Sequence, residues 1–345
     1  MSTKTVNKIP RFPEVVVIGT SAGGLAALKQ LVTQLQHDFP LPILVVQHIS
    51  TSATGSILLD ALNNVGNLKC QHARNKGRLK AGHLYLAPPD HHLMINAEKK
   101  ILVTKGAHEN RSRPAIDPLF RSAAVAFGNR VIGMLLTGYL DDGTAGLLAI
   151  KRCGGICIVQ DPKDADYPDM PTNALRQVSA DYCLPLAEMG GLLYQLLNQK
   201  TKIGKAIPRD IQIEAKIAER VLSDLPSVEA LGEQVPFNCP GCGGVLWKID
   251  EETGMRFRCH TGHAYTAASL FAEQTSKIEE TMWVALRMFE ERKNLLVSMS
   301  QKAKGINAKS ALERAEESQV HIDRIRLMLQ SEQNKVIDDL PGMEI

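Results

Sequence analysis

Three groups of residues in this sequence have side chains and spacings suited to chemistry. Ser21 sits in Gly19-Thr-Ser-Ala-Gly23, a G-x-S-x-G pattern that presents a serine hydroxyl on a sharp turn beside the positive end of a helix. His48 ends the apolar run Pro42-Ile-Leu-Val-Val-Gln-His48, and the pair Asp141-Asp142 follows a second such run, Arg130 to Thr137. A hydroxyl, an imidazole and a carboxylate gathered in one place make an activated nucleophile. The imidazole takes the serine proton, while the carboxylate fixes its tautomer and stabilises the imidazolium. The third group is Cys239-Pro-Gly-Cys242 and Cys259-His-Thr-Gly-His263, with sixteen residues between Cys242 and Cys259. Paired thiolates on a glycine-bearing knuckle, facing a second pair across a short hairpin, suit tetrahedral Zn²⁺. The expected ligands are Cys239, Cys242, Cys259 and His263, whose three-residue separation from Cys259 reaches back more easily than that of the alternative, His260.

The elements around these residues are predicted to bring them together. Val15 to Ile18 is a continuous β-branched run, as in a strand buried on both faces of a parallel sheet, and Leu25, Leu28 and Leu31 resume at helical spacing. Ser21 therefore stands above the carboxyl end of a strand, where open α/β sheets hold their ligands. The strands ending at His48 and at Thr137 emerge at that same edge, so His48 and either Asp141 or Asp142 converge on Ser21. Residues 14 to about 195 alternate strand-like and helix-like segments, the pattern of a doubly wound, mostly parallel sheet. The short runs Gly82–Pro89, His92–Ile95 and Lys100–Thr104 are expected to form a small β-meander inserted in it.

Other chemistries fit less well. No G-x-G-x-x-G follows the first strand, no acidic residue ends the second to hold a ribose, and the P-loop lysine is missing. A serine that only caps a helix remains the plain alternative for Ser21. Cys70, Cys153, Cys157 and Cys183 read as small core residues, and His91 and His92, at a turn, as solvent-exposed. Asp117, Arg113 and Arg121 fit either a substrate cleft or helix capping and salt bridging.

At 345 residues, 44% hydrophobic and 22% charged, the chain reads as an ordinary soluble globular protein of more than one domain. A net charge of +3 gives no argument for nucleic acid. No apolar run reaches membrane-spanning length and Met1–Pro10 lacks a signal-peptide core, so no membrane insertion and a cytoplasmic location are expected. Three of seven cysteines clustered in one short segment point to metal rather than disulfides.

Taken together, several stretches resemble the catalytic domain of the CheB-type protein-glutamate methylesterases that act on chemotaxis receptors. They are Ile18-Gly-Thr-Ser-Ala-Gly-Gly24, Val45-Val-Gln-His48, Gly82-His-Leu-Tyr-Leu-Ala-Pro88, Arg113-Pro-Ala-Ile-Asp-Pro-Leu-Phe-Arg121, Leu135-Leu-Thr-Gly-Tyr-Leu-Asp-Asp-Gly143, and Gln160-Asp-Pro with Met170-Pro171. They run in the family's order over roughly residues 13–195. The resemblance implies that Ser21 is the nucleophile, His48 the general base and then acid, and Asp142 the orienting carboxylate. It also implies hydrolysis of glutamate γ-methyl esters on receptor helices, with glutamine deamidation in many members, and no organic cofactor.

Two features depart from the family. Thr137-Gly-Tyr-Leu140 stands where members carry Thr-Gly-Met-Gly. The methionine position supplies an oxyanion-hole backbone N–H, which Tyr139 retains; a positive φ at Leu140 would be strained. Members also place a receiver domain before the catalytic one, whereas only about a dozen residues precede the first strand here. Control in cis by phosphorylation is then not expected. The partners implied are a methyl-accepting receptor bundle as substrate and a separate response regulator or methyltransferase.

The expected domains are the methylesterase over 13–195, a linker and helix over 196–235, a zinc-ribbon-like module over 236–265 and a helical hairpin or coiled coil over 266–335. The ribbon hairpin is expected to turn at Glu251–Gly254. Ile278, Met282, Ala285, Phe289, Leu296 and Met299 form one helical stripe, and Leu312, Ala315, Ile322, Ile325 and Leu329 the other, broken apart at Gly305-Ile-Asn307. This tail gives two helices packed on each other, or a surface for a homo-oligomer or helical partner. The competing function is a regulatory or binding protein whose catalysis is impaired by Tyr139-Leu140 and which works through ribbon and tail. A third reading is a related esterase on a different methylated protein.

Overall fold

In the computed structural model, residues 12–49, 55–201, 205–220, 225–251, 254–302, 304 and 306–338 are described. The chain divides into two units, 1–270 and 271–345. The first unit opens with β1 (Val15–Thr20), α1 (Gly24–Thr33), β2 (Ile43–Gln47), α2 (Ser56–Val65), β3 (Lys69–His72) and β4 (His83–Leu86). It continues through β5 (His92–Ile95), β6 (Ile101–Thr104), α3 (Ile116–Phe127), β7 (Val131–Leu135), α4 (Thr144–Arg152), β8 (Ile156–Gln160), α5 (Asp169–Gln177), β9 (Tyr182–Leu184) and α6 (Leu186–Leu197).

Seven of these strands form one sheet in the order β3-β4-β2-β1-β7-β8-β9, every neighbouring pair parallel. All six residues of β1 are buried because helices cover both faces, which is why the sequence there is continuously apolar. Val15 and Val17 join one core layer with Leu119, Phe120 and Ile150, while Val16 and Ile18 join the other with Leu28, Leu31 and Leu193. The chain winds outward from β1 toward β2 and β4, then returns to wind outward through β7 and β8. The carboxyl end of β1 is therefore the point where strand order reverses, and Ser21 follows it directly.

The β insertion is smaller than the sequence pattern implied. Only β5 and β6 pair as a separate antiparallel hairpin. The run at 82–89 supplies β4, a main-sheet strand between β3 and β2 whose Leu84, Tyr85 and Leu86 are buried. Short length and turn residues suggested a meander, but apolar burial on both faces belongs to a sheet interior.

Beyond α6 lie α7 (Arg209–Arg220), α8 (Leu225–Glu229) and a second, antiparallel sheet. This is β10 (Glu233–Asn238), β11 (Val245–Glu251), β12 (Gly254–Cys259) and β13 (Ala264–Thr266), in that order. The expected hairpin is β11–β12, pairing from Leu246↔Cys259 to Glu251↔Gly254; turn residues 252–253 lie outside the described residues. The helix α9 (Ala267–Lys302) starts directly after β13, and α10 (Ile306–Asp338) follows. Of the expected break, Gly305 lies outside the described residues.

In the second unit α9 and α10 share a core of Met282, Ala285, Leu286, Phe289, Ile322, Ile325 and Leu329. Ile278, Met299 and Leu312, expected on the buried stripes, are about half exposed. Among the described residues, no helix is long and apolar enough to cross a membrane.

Candidate active site

The pairing of the strands explains why Ser21 and His48 meet. In the parallel β1–β2 ladder Thr20 stands beside Gln47, and the His48 N–H donates to the Thr20 carbonyl, so Ser21 and His48 are the next residues on adjacent chains. Gly23 turns the chain into α1 with φ 74°, a conformation that suits glycine. The Gln47 amide donates to both the Ser21 and the His48 carbonyl, at 2.7 and 2.8 Å, which ties the two turns together. The Ser21 hydroxyl lies 3.1 Å from His48 Nδ1, and His48 Nε2 lies 2.8 Å from Asp142 Oδ2. Nε2–H then donates to the carboxylate, leaving the Nδ1 lone pair to accept the serine proton. A ring nitrogen for each partner is what the chemistry needs.

Asp142, rather than Asp141, faces the imidazole. Asp141 Oδ1 instead accepts the Thr266 hydroxyl at 3.0 Å. Asp142 is buried and accepts the N–H groups of Ile116 (2.7 Å) and Gly143 (2.9 Å) and the Asn110 amide (2.9 Å). Burial opposes its charge, but the bond to His48 and these donors outweigh burial and hold its pKa below the ordinary carboxylate value. Asp117, in the first turn of α3, is also buried; burial and the neighbouring Asp142 charge push it up to about 7. One carboxylate is thus kept ionised beside another that titrates near neutrality.

The loop after β7 runs along the nucleophile. A Cβ on Gly138 would stand 2.7 Å from the Ser21 Cβ and closer still to the Met170 sulfur, so only glycine admits that close backbone approach. The Tyr139 ring is exposed and meets Tyr167 edge-on, with centroids 4.6 Å apart. Leu140 does adopt φ 62°, the strained conformation anticipated from its sequence, and its carbonyl accepts the Asn173 amide at 2.7 Å. An open cleft of about 500 Å³, lined by Ser21, Gly24, Leu25, Ala26, Lys29 and Gln47, lies in front of the hydroxyl.

Other polar residues depart from expectation. His92 is buried, with Nε2 against the Ala107 carbonyl (2.8 Å) and Nδ1 accepting the Ala115 N–H (3.2 Å). Burial depresses its pKa. A histidine at a turn reads as exposed, but these two backbone partners satisfy it inside. Cys183 is exposed rather than in the core. Arg121 is buried against Glu109, and Arg113 Nε donates to Asp90 at 2.8 Å, so these arginines brace the fold instead of lining the cleft. Asn110, which the sequence did not single out, donates to both Asp142 and Asp117.

At the second cluster, one donor atom each from Cys239, Cys242, Cys259 and His263 lies within 4.8 Å of all the others. The Cys242 and Cys259 sulfurs are 3.7 Å apart, and Cys259 Sγ is 3.5 Å from His263 Nδ1. Zn–S bonds of about 2.3 Å in a tetrahedron give sulfur–sulfur edges of roughly 3.8 Å, so the donor set fits one four-coordinate ion.

A family model for the CheB methylesterase matches residues 16–193. A protein of Leptospira interrogans is 39% identical over 183 residues, spanning 53% of this chain and 94% of that protein. A Syntrophus aciditrophicus protein named protein-glutamate methylesterase/protein-glutamine glutaminase is 36% identical over 191 residues, 55% of this chain and 54% of that one. The crystal structure of the Thermotoga maritima CheB methylesterase catalytic domain superposes with a TM-score of 0.52 at 33% identity, covering 54% of this chain and all of that one. The parallel sheet, the switch-point serine and the matched span agree, and the chain belongs to the CheB methylesterase family of carboxylic ester hydrolases.

Proposed function

We propose that this protein is a protein-glutamate methylesterase that hydrolyses glutamate γ-methyl esters on the helices of methyl-accepting chemoreceptors, using Ser21, His48 and Asp142. The Ser21–His48–Asp142 chain of contacts, 3.1 and 2.8 Å long and open to a cleft, carries the reading. Ser21 Oγ attacks the ester carbonyl as His48 Nδ1 takes its proton. The Tyr139 backbone N–H is the donor assigned to the oxyanion that develops, and the Asn173 amide, donating to the Leu140 carbonyl at 2.7 Å, braces that loop. His48 returns the proton to the methoxide, methanol leaves, and the glutamyl group remains on Ser21 as an ester. A water molecule then loses its proton to His48, attacks the acyl carbon and releases the glutamate carboxylate, restoring the serine hydroxyl.

The same acyl transfer on a glutamine carboxamide releases ammonia, the second activity in the names of the relatives. The shallow, open cleft suits a side chain presented on the surface of another protein rather than a small enclosed ligand.

The Cys239, Cys242, Cys259 and His263 set is assigned to Zn²⁺. Four protein ligands complete its coordination, which makes the metal structural, and no reaction step passes through it. The functional test is methanol release from receptor membranes carrying labelled methyl esters. Release by the native protein that disappears in Ser21→Ala is expected. Undiminished release by Ser21→Ala, or none from the native protein, overturns the assignment.

A further inference from the structure

The antiparallel sheet does not merely follow the esterase sheet in sequence; it is built into the back of the candidate site. The segment at 108–110 pairs with β13: the Ala264 N–H donates to the His108 carbonyl (3.3 Å) and the Asn110 N–H to the Ala264 carbonyl (2.9 Å). Between those two bonds, Glu109 is buried against Arg121 of α3 and Arg258 of β12, the latter at 3.0 Å. Arg258 also reaches Glu214 of α7 at 3.2 Å, and Glu214 is paired with Arg256. An ion-pair network this deep tolerates little displacement, because moving one member leaves the others charged and unpaired away from water.

Asn110 stands at the centre of this junction. Its amide group donates to Asp117 Oδ2 at 2.8 Å and to Asp142 Oδ1 at 2.9 Å. Its carbonyl oxygen accepts the Thr266 N–H at 3.2 Å and the Ser269 hydroxyl at 3.3 Å. Both amide hydrogens are therefore engaged by the carboxylates, and the oxygen accepts from the end of β13 and the first turn of α9, sharing the Thr266 N–H with Ser269 Oγ and the Ser269 hydroxyl with the Thr266 carbonyl. Ser269 is fully buried and Asn110 nearly so. Thr266 and Ser269 in turn hold each other, the Ser269 N–H donating to Thr266 Oγ1 (3.1 Å) and the Thr266 N–H to Ser269 Oγ (2.9 Å). The Thr266 hydroxyl hydrogen goes to Asp141, next to Asp142 in the chain. A half-turn of the Asn110 amide would set its oxygen against two carboxylates and its nitrogen against two donors, so one orientation is enforced from both sides.

We infer that the C-terminal antiparallel sheet, together with the first turn of α9, is part of the esterase centre. Through Thr266, Ser269 and Asn110 it holds Asp142 in line with His48, although it supplies no reacting atom. This rests on the assignment of Ser21, His48 and Asp142 as the reacting groups. Asn110, Thr266 and Ser269 are positioning residues, and their effect falls on turnover rather than on substrate binding, since none of the three lines the cleft.

The test uses the full chain and a small fluorophosphonate, whose reaction with a serine needs the activated hydroxyl but no receptor surface. The second-order labelling rate is measured alongside kcat and KM for methanol release and the melting temperature. Ser269→Ala and Thr266→Val are each expected to lower the labelling rate and kcat about 5- to 30-fold, with KM within twofold and an unbroken melting transition. Thr266→Ser, which keeps the hydroxyl, restores both rates. Because Ser269 acts through Asn110, Asn110→Ala combined with Ser269→Ala loses no more than Asn110→Ala alone.

Native labelling rates in the folded Thr266→Val and Ser269→Ala proteins overturn the inference and leave the reacting groups standing. So do fully additive losses in the double variant. Native protein that is not labelled at Ser21 overturns the reacting-group assignment, and the inference with it. Thr266→Val is isosteric and only half-buried at its site, so a folded variant is available even if Asn110→Ala is not.

Discussion

Leu140 occupies the left-handed region at φ 62°, where a side chain costs about 1–2 kcal/mol. Replacing it by glycine removes that strain but adds chain entropy to the unfolded state, about 0.5–1 kcal/mol. Leu140→Gly is therefore expected to gain on the order of 0.5 kcal/mol in urea unfolding. A loss of more than about 1 kcal/mol would mean that the leucine side chain contributes packing that outweighs its backbone. Ser21, His48 and the aspartate pair were legible in the sequence because strand ends fix where side chains emerge. Which aspartate faces the imidazole was not, since two adjacent residues share one loop; the resemblance chose Asp142 before the geometry did. Asn110 carried no signal at all. It lies in an irregular segment, and its partners are 7, 32 and more than 150 residues away.

Among the elements, α7 and β12 are locked by charge. Glu214 is buried, and although burial opposes its ionisation, Arg256, Arg121 and Arg258 overcome that and hold its pKa well below the ordinary value. Glu214→Ala removes the carboxylate set between the buried Arg256 and Arg258 guanidinium groups and is expected to cost about 3–5 kcal/mol in denaturant unfolding. A cost below about 1 kcal/mol would show that water or Glu109 compensates. Metal belongs to this scale too. If Cys239, Cys242, Cys259 and His263 hold one ion, metal analysis finds one zinc per chain, and a strong chelator lowers the melting temperature of the first unit. An unchanged melt after complete zinc removal would detach the ion from folding.

The sequence disclosed β11 and β12 through alternation and cysteine spacing. It did not disclose β10 and β13, because Glu233–Asn238 is mostly exposed and Ala264–Thr266 has only three residues. The placement of β4 escaped for a related reason: four residues show burial but not which neighbours provide it.

Across the whole molecule, the buried carboxylates pull stability in opposite directions with pH. Asp142, Glu109 and Glu214 have folded pKa values below their unfolded ones. Their contribution is complete above about pH 4–5 and fades as pH falls through the folded values. Asp117, raised to about 7, behaves the other way: its contribution is complete below about pH 4 and is lost as pH rises toward 7. Stability should collapse in acid, and Asp117→Asn should gain relative to the native protein between about pH 4 and 7. A constant difference between the two across that range would place Asp117 ionised throughout.

The α/β architecture and its two-sided core were readable from β-branched runs alternating with helical spacing. The joining of the second sheet to the first was not, because it rests on buried ion pairs and on backbone pairing of a loop. Neither leaves a periodic pattern.

The reaction itself is tested by one set of rates: methanol release from methyl-labelled receptor membranes by the native protein, Ser21→Ala, His48→Ala and the double variant. If the serine and the imidazole act as one unit, each single variant loses at least about a thousandfold and the double loses no more than the worse single. Losses that multiply in the double variant, or a Ser21→Ala protein that still releases methanol at the native rate, would contradict a nucleophile activated by His48.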